Sequence, residues 1–346
     1  MTALRTSPVQ LQEPGLPLDI PSAPAIGLHD LTRQFGRRKK LFTAVSQLNL
    51  EVARGQVFGL LGPNGSGKTT TINMISGLIP PTSGAITILG MNVEARRTRR
   101  QVRQVLGVVP QETALYNELS AQANMAFHAD LYRIPRREKA ERIAALLRLV
   151  SLADRADSRV GTFSGGMKRR LAIARALLHD PEVIILDEPT LGVDVQARAA
   201  IWGYVRDLRD RGKTILLTTN QLEEAQELCD ELAIIDHGQL VAAGTPETLR
   251  RSYGATVVSL HVQTVAAPAT LDYAVEELRR LGGVMDVTMQ PAADGSHLLA
   301  VSTQEQAEIA DILAVAARWF VIADVAIREA SLDEAFLSLT GRGLRD

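Results

Sequence analysis

Residues 62–69 read Gly62-Pro63-Asn64-Gly65-Ser66-Gly67-Lys68-Thr69. Two glycines with four residues between them, followed by lysine and a hydroxyl residue, form the G-x-x-x-x-G-K-[ST] pattern. Glycine lets backbone N–H groups turn inward around phosphates, and a helix starting at the end of the loop aims its positive end at them. Lys68 is placed to reach the outer phosphates, and the Thr69 hydroxyl to ligate Mg²⁺. The set Gly62, Pro63, Asn64, Gly65, Ser66, Gly67, Lys68, Thr69 and Thr70 is therefore the candidate phosphate cradle. The apolar run Val57–Leu61 before it and the helix-like stretch Lys68–Leu78 after it supply the strand–loop–helix context the pattern needs.

Working outward, Val183-Ile184-Ile185-Leu186-Asp187-Glu188 is a run of four apolar residues ending in two carboxylates. On a strand end beside the loop, Asp187 is suited to hold a metal through water and Glu188 to polarise an attacking water. Between these halves lies Phe163-Ser164-Gly165-Gly166-Met167. Ser164 is a good N-cap, and Gly165 and Gly166 leave amides unshielded, which makes a second phosphate-binding helix start. One chain needs one such terminus per nucleotide. The second is expected to serve a nucleotide held by another subunit.

The surrounding chain alternates short apolar runs with amphipathic stretches. Val57–Leu61, Leu106–Val109, Val183–Leu186, Thr214–Thr218 and Leu232–Ile235 are expected strands; Arg137–Val150 and Val195–Arg211 are expected helices. This alternation implies an α/β fold, a parallel sheet flanked by helices. Pro135 and Pro246 are expected to open helices. After Gly254 the texture changes. An alternating strand at Val258, Leu260 and Val262 leads to a helix over Thr270–Leu281 and a strand over Val284–Met289. A turn over Pro291–Ser296 follows, then a strand over His297–Ser302, a helix over Gln304–Ala317 and a strand over Phe320–Ile327. The order β-α-β-β-α-β predicts a small α+β ferredoxin-like domain, followed by a last helix N-capped by Ser331. The expected division is a proline-rich disordered tail at 1–24, a nucleotide-binding domain at 25–253 and a C-terminal domain at 254–346.

The chain has 346 residues, 46% apolar and 22% charged, enough for two packed domains. Lys and Arg number 38 against 39 Asp and Glu, a net charge of −1, so nucleic acid is not an expected partner. Cys229 is the one cysteine, which excludes an intrachain disulfide. No uncharged apolar stretch reaches the ~18 residues of a membrane span. The nearest, 312–327, contains Arg318 and Asp324. No secretory signal is visible at the start.

Taken together the motifs resemble the ATP-binding subunit of ABC transporters, over about residues 26–252. Gly62–Thr69 looks like Walker A, Val183–Glu188 like Walker B and Phe163–Met167 like the signature motif, with Phe163 and Met167 departing from the usual L-S-G-G-Q. Gln111, in Val109-Pro110-Gln111-Glu112, is similar to the glutamine loop that contacts Mg²⁺. Asp194 matches the loop that crosses between subunits, and Phe35 the aromatic that stacks on adenine, although a core role for Phe35 stands beside it. The family normally has histidine where Thr218-Thr219-Asn220-Gln221 places Asn220. An amide still donates a hydrogen bond to a γ-phosphate but cannot carry a proton, so slower hydrolysis is expected. The form Phe163–Arg170, the Pro110-Gln111-Glu112 context and Leu332-Asp333-Glu334-Ala335-Phe336 resemble the daunorubicin-resistance branch, whose ATPases pair with a separate ABC-2-type permease.

The resemblance implies ATP and Mg²⁺ as ligands and a second ATPase subunit as partner, in a homodimer. It also implies ATP hydrolysis for export, at the cytoplasmic face of the membrane. Lys68, Glu188 and Asn220 are the implied catalytic residues, and Thr69, Gln111 and Asp187 the implied metal ligands. Ser164, Gly165, Gly166 and Asp194 are expected to act across the dimer. The alternative is an ATP-binding structural subunit with little hydrolysis, which Asn220 favours and Glu188 opposes. Arg96, Arg97, Arg99, Arg100 and Arg103 are expected to form a solvated helix face, with lipid headgroups or the permease as the functional alternative. Arg169 and Arg170 are expected on the helix surface, and Trp319 and Phe320 in the small domain's core.

Overall fold

The computed structural model describes residues 23–37, 40–254, 256–264, 271–292, 296–303, 309–329 and 331–341. The proline-rich segment expected to be disordered lies outside them up to residue 22.

A six-stranded sheet positions the site. Its order is Gln239–Gly244, Glu231–Asp236, Val57–Leu61, Thr214–Thr219, Val183–Asp187, Leu106–Val109. All neighbours are parallel except the first pair, which is antiparallel. Every residue of Val57–Leu61, Val183–Asp187 and Thr214–Thr219 is buried. That explains their continuous apolar runs, since a parallel sheet is covered on both faces. The period of two survives inside the run. Ile184 and Leu186 pack with Ala172, Ile201 and Leu228 on one side. Val183 and Ile185 pack on the other with Ile72, Ile75 and the antiparallel sheet of Ile26–Arg37, Lys40–Val52, Ser83–Ile88 and Met91–Asn92. The parallel register brings Leu61, Val109, Asp187 and Thr219 to one edge, where ligands of such sheets bind.

Helices Ala121–Leu131 and Arg136–Leu149 form a helical subdomain on Gly165–Ala176, through Met125, Ile143, Leu147 and Leu171. The helix expected over Lys68–Leu78 ends at Ile75, because Gly77 turns left-handed at φ 66°. Pro246 stands in the first turn of Pro246–Tyr253 behind the Thr245 cap. Pro135 is itself the cap residue of its helix.

The C-terminal strands order as Val284–Pro291, His297–Thr303, Thr256–Thr264, Phe320–Arg328, all antiparallel. Counted within the domain this is 2-3-1-4, the ferredoxin-like order. Helices Leu271–Arg279 and Ile309–Trp319 cover one face through Ala274, Leu278, Ile312 and Ala316. Phe320 is buried there, and the half-buried Trp319 donates its indole N–H to Glu277 at 2.7 Å. The final helix, Leu332–Thr340, begins with a capping box between Ser331 and Glu334. It turns back: Leu332 and Phe336 are buried with Ala242, Leu249 and Leu228 in the core of the large sheet. Among the described residues no helix is long and apolar enough to cross a membrane.

Candidate functional site

The phosphate loop follows Leu61 at the sheet edge. Gly65 and Gly67 have φ 80° and 107°, left-handed values that a side chain resists. A Cβ on Gly62 would meet the Ile235 carbonyl oxygen at 2.2 Å and Ser66 Oγ at 2.4 Å, so the loop is wedged in its curve. Lys68 is 5% exposed and donates to the Gly62 and Pro63 carbonyls at 2.5 and 3.1 Å. Burial pulls its ammonium below the usual lysine range, while Glu188 and then Asp187 pull it back up. The loop opens into a pocket of about 260 Å³ lined by Phe42, Ala44, Asn64–Thr70, Gln111 and Glu188.

The opposite wall is Gln111 and Glu188, from distant segments, with Asp187 and Thr218 buried behind them. Gln111 Nε2 donates to Glu188 Oε2 at 2.9 Å. Thr218 Oγ1 donates to Asp187 Oδ1 at 2.5 Å. The Glu188 N–H reaches Thr218 Oγ1 at 3.0 Å and the Thr218 carbonyl at 3.1 Å. Glu188 itself has φ 49°, a left-handed conformation that a non-glycine residue keeps only when its surroundings impose it.

Arg169 corrects the surface expectation. It is 4% exposed. Its Nε donates to the Pro189 carbonyl at 3.0 Å, one terminal nitrogen to Pro110 and Gln111 at 2.6 and 3.2 Å, and the other to the Asp187 carbonyl. Burial lowers its pKa to about 10, with Asp187, Glu224 and Glu188 acting in the opposite sense. It therefore stays charged at neutral pH. Arg170 is half-buried and donates to the Val150 carbonyl at 3.0 Å. The five arginines between 96 and 103 are exposed, as expected of a solvated face.

Other expected site residues lie off this pocket. Phe35 is not among its lining residues; Phe42, its register partner across the hairpin, is. The two share a sheet face. The Arg33 guanidinium sits 4.6 Å from the Phe35 ring centroid. Asn220 is half-buried, two residues beyond Thr218 and outside the lining. Ser164 caps its helix by accepting from the Met167 N–H at 3.3 Å, and Asp194 caps Val195–Asp210 by accepting from the Ala197 N–H at 2.9 Å. A Cβ on Gly166 would fall 2.8 Å from Ala197 Cβ, so glycine lets the two helix starts touch. None of Ser164, Gly165, Gly166 and Asp194 lines the pocket. Phe163 is buried in the helical subdomain, which accounts for an aromatic residue there.

The residues present fit a nucleotide with Mg²⁺. The Ser66 hydroxyl is buried in the loop without a hydrogen-bond partner, a donor left for a phosphate oxygen. Among the described residues no three His, Cys, Asp or Glu side chains cluster as an all-protein metal site. One carboxylate with hydroxyl and amide ligands suits Mg²⁺, which takes the rest of its shell from phosphates and water.

Comparison with known proteins gives the same reading. The ABC transporter family model matches residues 45–191. The linearmycin resistance ATP-binding protein LnrL of Bacillus subtilis (strain 168) is 38% identical over 319 residues, covering 92% of this chain and 98% of that protein. The Nod factor export ATP-binding protein I of Ralstonia nicotianae is 37% identical over 328 residues, covering 94% and 97%. Among solved structures, a dimeric post-hydrolysis state of an ATP-binding cassette bound to ADP and Pi superposes with a TM-score of 0.59 at 26% identity, covering 64% of this chain and 98% of that one. The chain belongs to the ABC transporter family, as an ATP-binding subunit closely related to the ABC-2-type export ATPases.

Proposed function

We propose that two copies of this chain, each holding one ATP, power export through a separate ABC-2-type permease at the cytoplasmic face of the membrane. The cargo is a drug, lipid or polysaccharide-like compound. The observation that carries this reading is the Gln111–Glu188 hydrogen bond facing the phosphate loop across one pocket. It places a carboxylate able to take a proton from water opposite the loop that would hold the γ-phosphate.

The pocket is small and open for a whole nucleotide, and the Ser164–Gly166 helix start is not part of it. In a head-to-tail pair that helix start faces the partner's nucleotide, and two-fold symmetry makes both sites equivalent. Lys68 turns from its loop carbonyls to the outer phosphates. Thr69, Gln111 and Asp187 would hold Mg²⁺, which neutralises phosphate charge. Glu188 orients and deprotonates the attacking water, and the Asn220 amide donates to the γ-phosphate side. ATP contacts complete only in the closed pair, so binding shifts the population closed and hydrolysis reopens it.

Asn220 favours a second reading, an ATP-binding subunit that holds a partner dimer with little hydrolysis. Steady-state ATPase measurements on purified protein, with and without membranes carrying its permease, separate the two. Turnover stimulated by the permease supports the motor. Nucleotide binding with no turnover in either setting supports the structural subunit.

A further inference from the structure

Arg169 is a buried guanidinium whose described hydrogen-bond acceptors are all backbone carbonyls. Such an arrangement is costly. A buried cation without a paired carboxylate needs its N–H groups satisfied, and here four hydrogen bonds engage Nε and both terminal nitrogens. The carbonyls belong to two segments with one thing in common. Pro110 and Gln111 continue the strand Leu106–Val109, and Gln111 carries the amide that donates to Glu188. Asp187 and Pro189 flank Glu188 on either side. Arg169 thus grips Gln111 by its own carbonyl and Glu188 through the carbonyls of the residues on either side of it. It also braces Glu188, the residue in a left-handed conformation, opposite to where Thr218 fixes its N–H.

The guanidinium sits on the helix Gly165–Ala176, five residues past the Ser164 cap, about 7.5 Å along the axis. Arg175 on the same helix donates to the Ala114 carbonyl at 2.7 Å, further along the glutamine loop. The helix whose start is not part of this pocket is therefore bolted to the glutamine loop by two arginines and to the end of the carboxylate strand by one of them. We propose that Arg169 is a positioning residue that sets the Gln111, Asp187 and Glu188 backbones at the spacing needed to receive Mg²⁺ and the attacking water, and so ties their geometry to the signature helix. Lysine cannot replace it fully. A single ammonium has three donors at one point and does not span carbonyls on two segments, whereas the planar fork does.

This inference rests on the nucleotide reading above, and its test does not need turnover. Full-length wild type, R169Q and R169K are titrated with a fluorescent ribose-labelled ATP analogue in EDTA and in Mg²⁺, with thermal midpoints alongside. The expected result is an unchanged affinity in EDTA, because the phosphate loop does not touch Arg169. The gain in affinity that Mg²⁺ confers falls by about tenfold or more in R169Q, the scale of lost outer-shell support at a metal site. R169K lies between. Retention of the full Mg²⁺ gain in R169Q overturns the proposal, as does an equal loss with and without Mg²⁺, which marks a merely structural role. If R169Q does not fold, R169K decides: a wild-type Mg²⁺ gain overturns the proposal and a reduced one supports it. Failure of wild type to hydrolyse ATP would count against the motor reading and leave this comparison intact.

Discussion

The phosphate loop and the carboxylate wall face each other across one pocket, yet they are made differently. The loop is eight consecutive residues whose glycines, lysine and hydroxyl are neighbours in sequence. The wall presents Gln111 and Glu188 to the pocket, with Asp187 and Thr218 buried behind them, from three separate strand ends, and Gln111 and Glu188 meet across 77 positions of sequence. Sheet register brings the strand ends level, and Arg169 ties two of them to the signature helix. The comparison teaches that the phosphate cradle is a local feature of this chain and the carboxylate wall a collective one. Changes in the loop should act on affinity with or without Mg²⁺, and changes in the wall on turnover and on the gain in affinity that Mg²⁺ confers.

The sharpest break between the two is Glu188→Gln. Turnover should fall by about a hundredfold or more, the scale of a lost general base, while ATP affinity stays near wild type. A matching loss of affinity would merge the two regions. Next comes Lys68→Ala, which removes a charge-assisted contact to the outer phosphates. ATP affinity should fall by about tenfold, a loss near 1.4 kcal/mol, measured by equilibrium titration. Unchanged affinity would remove the loop from its role. Asn220→His restores a group that titrates near neutrality, and a rise of a few-fold in turnover is expected. A fall would show that Asn220 is not the limiting group. The smallest effect is expected at the aromatic pair. Phe42→Ala should weaken ATP by roughly threefold, about 0.6 kcal/mol of lost ring contact, with inorganic triphosphate unaffected. Phe35→Ala with the larger effect would return the base-stacking role to Phe35.

What was legible in the sequence follows the same division. The loop, the buried strands and the order of the small domain were readable because each depends on neighbouring residues. Arg169 was missed although a signal existed. It stands at i, i+3, i+4 and i+7 with Ala172, Ile173 and Ala176, all buried, so it lies on the helix's apolar face. Its charge argued for the surface, and only the carbonyls of distant segments make burial tolerable. Phe42 was missed because its place on the pocket depends on the hairpin pairing it with Phe35. The last helix follows the small domain in sequence yet buries Leu332 and Phe336 against the large one, a choice set by tertiary contacts.

The central claim is that the site is completed by a second copy, and one measurement addresses it most directly. Glu188→Gln protein is passed over a gel-filtration column in ATP and Mg²⁺, with nucleotide binding confirmed beforehand. The account predicts elution as a dimer that reverts to monomer when ATP is removed. Elution only as a monomer, with ATP bound, would contradict it.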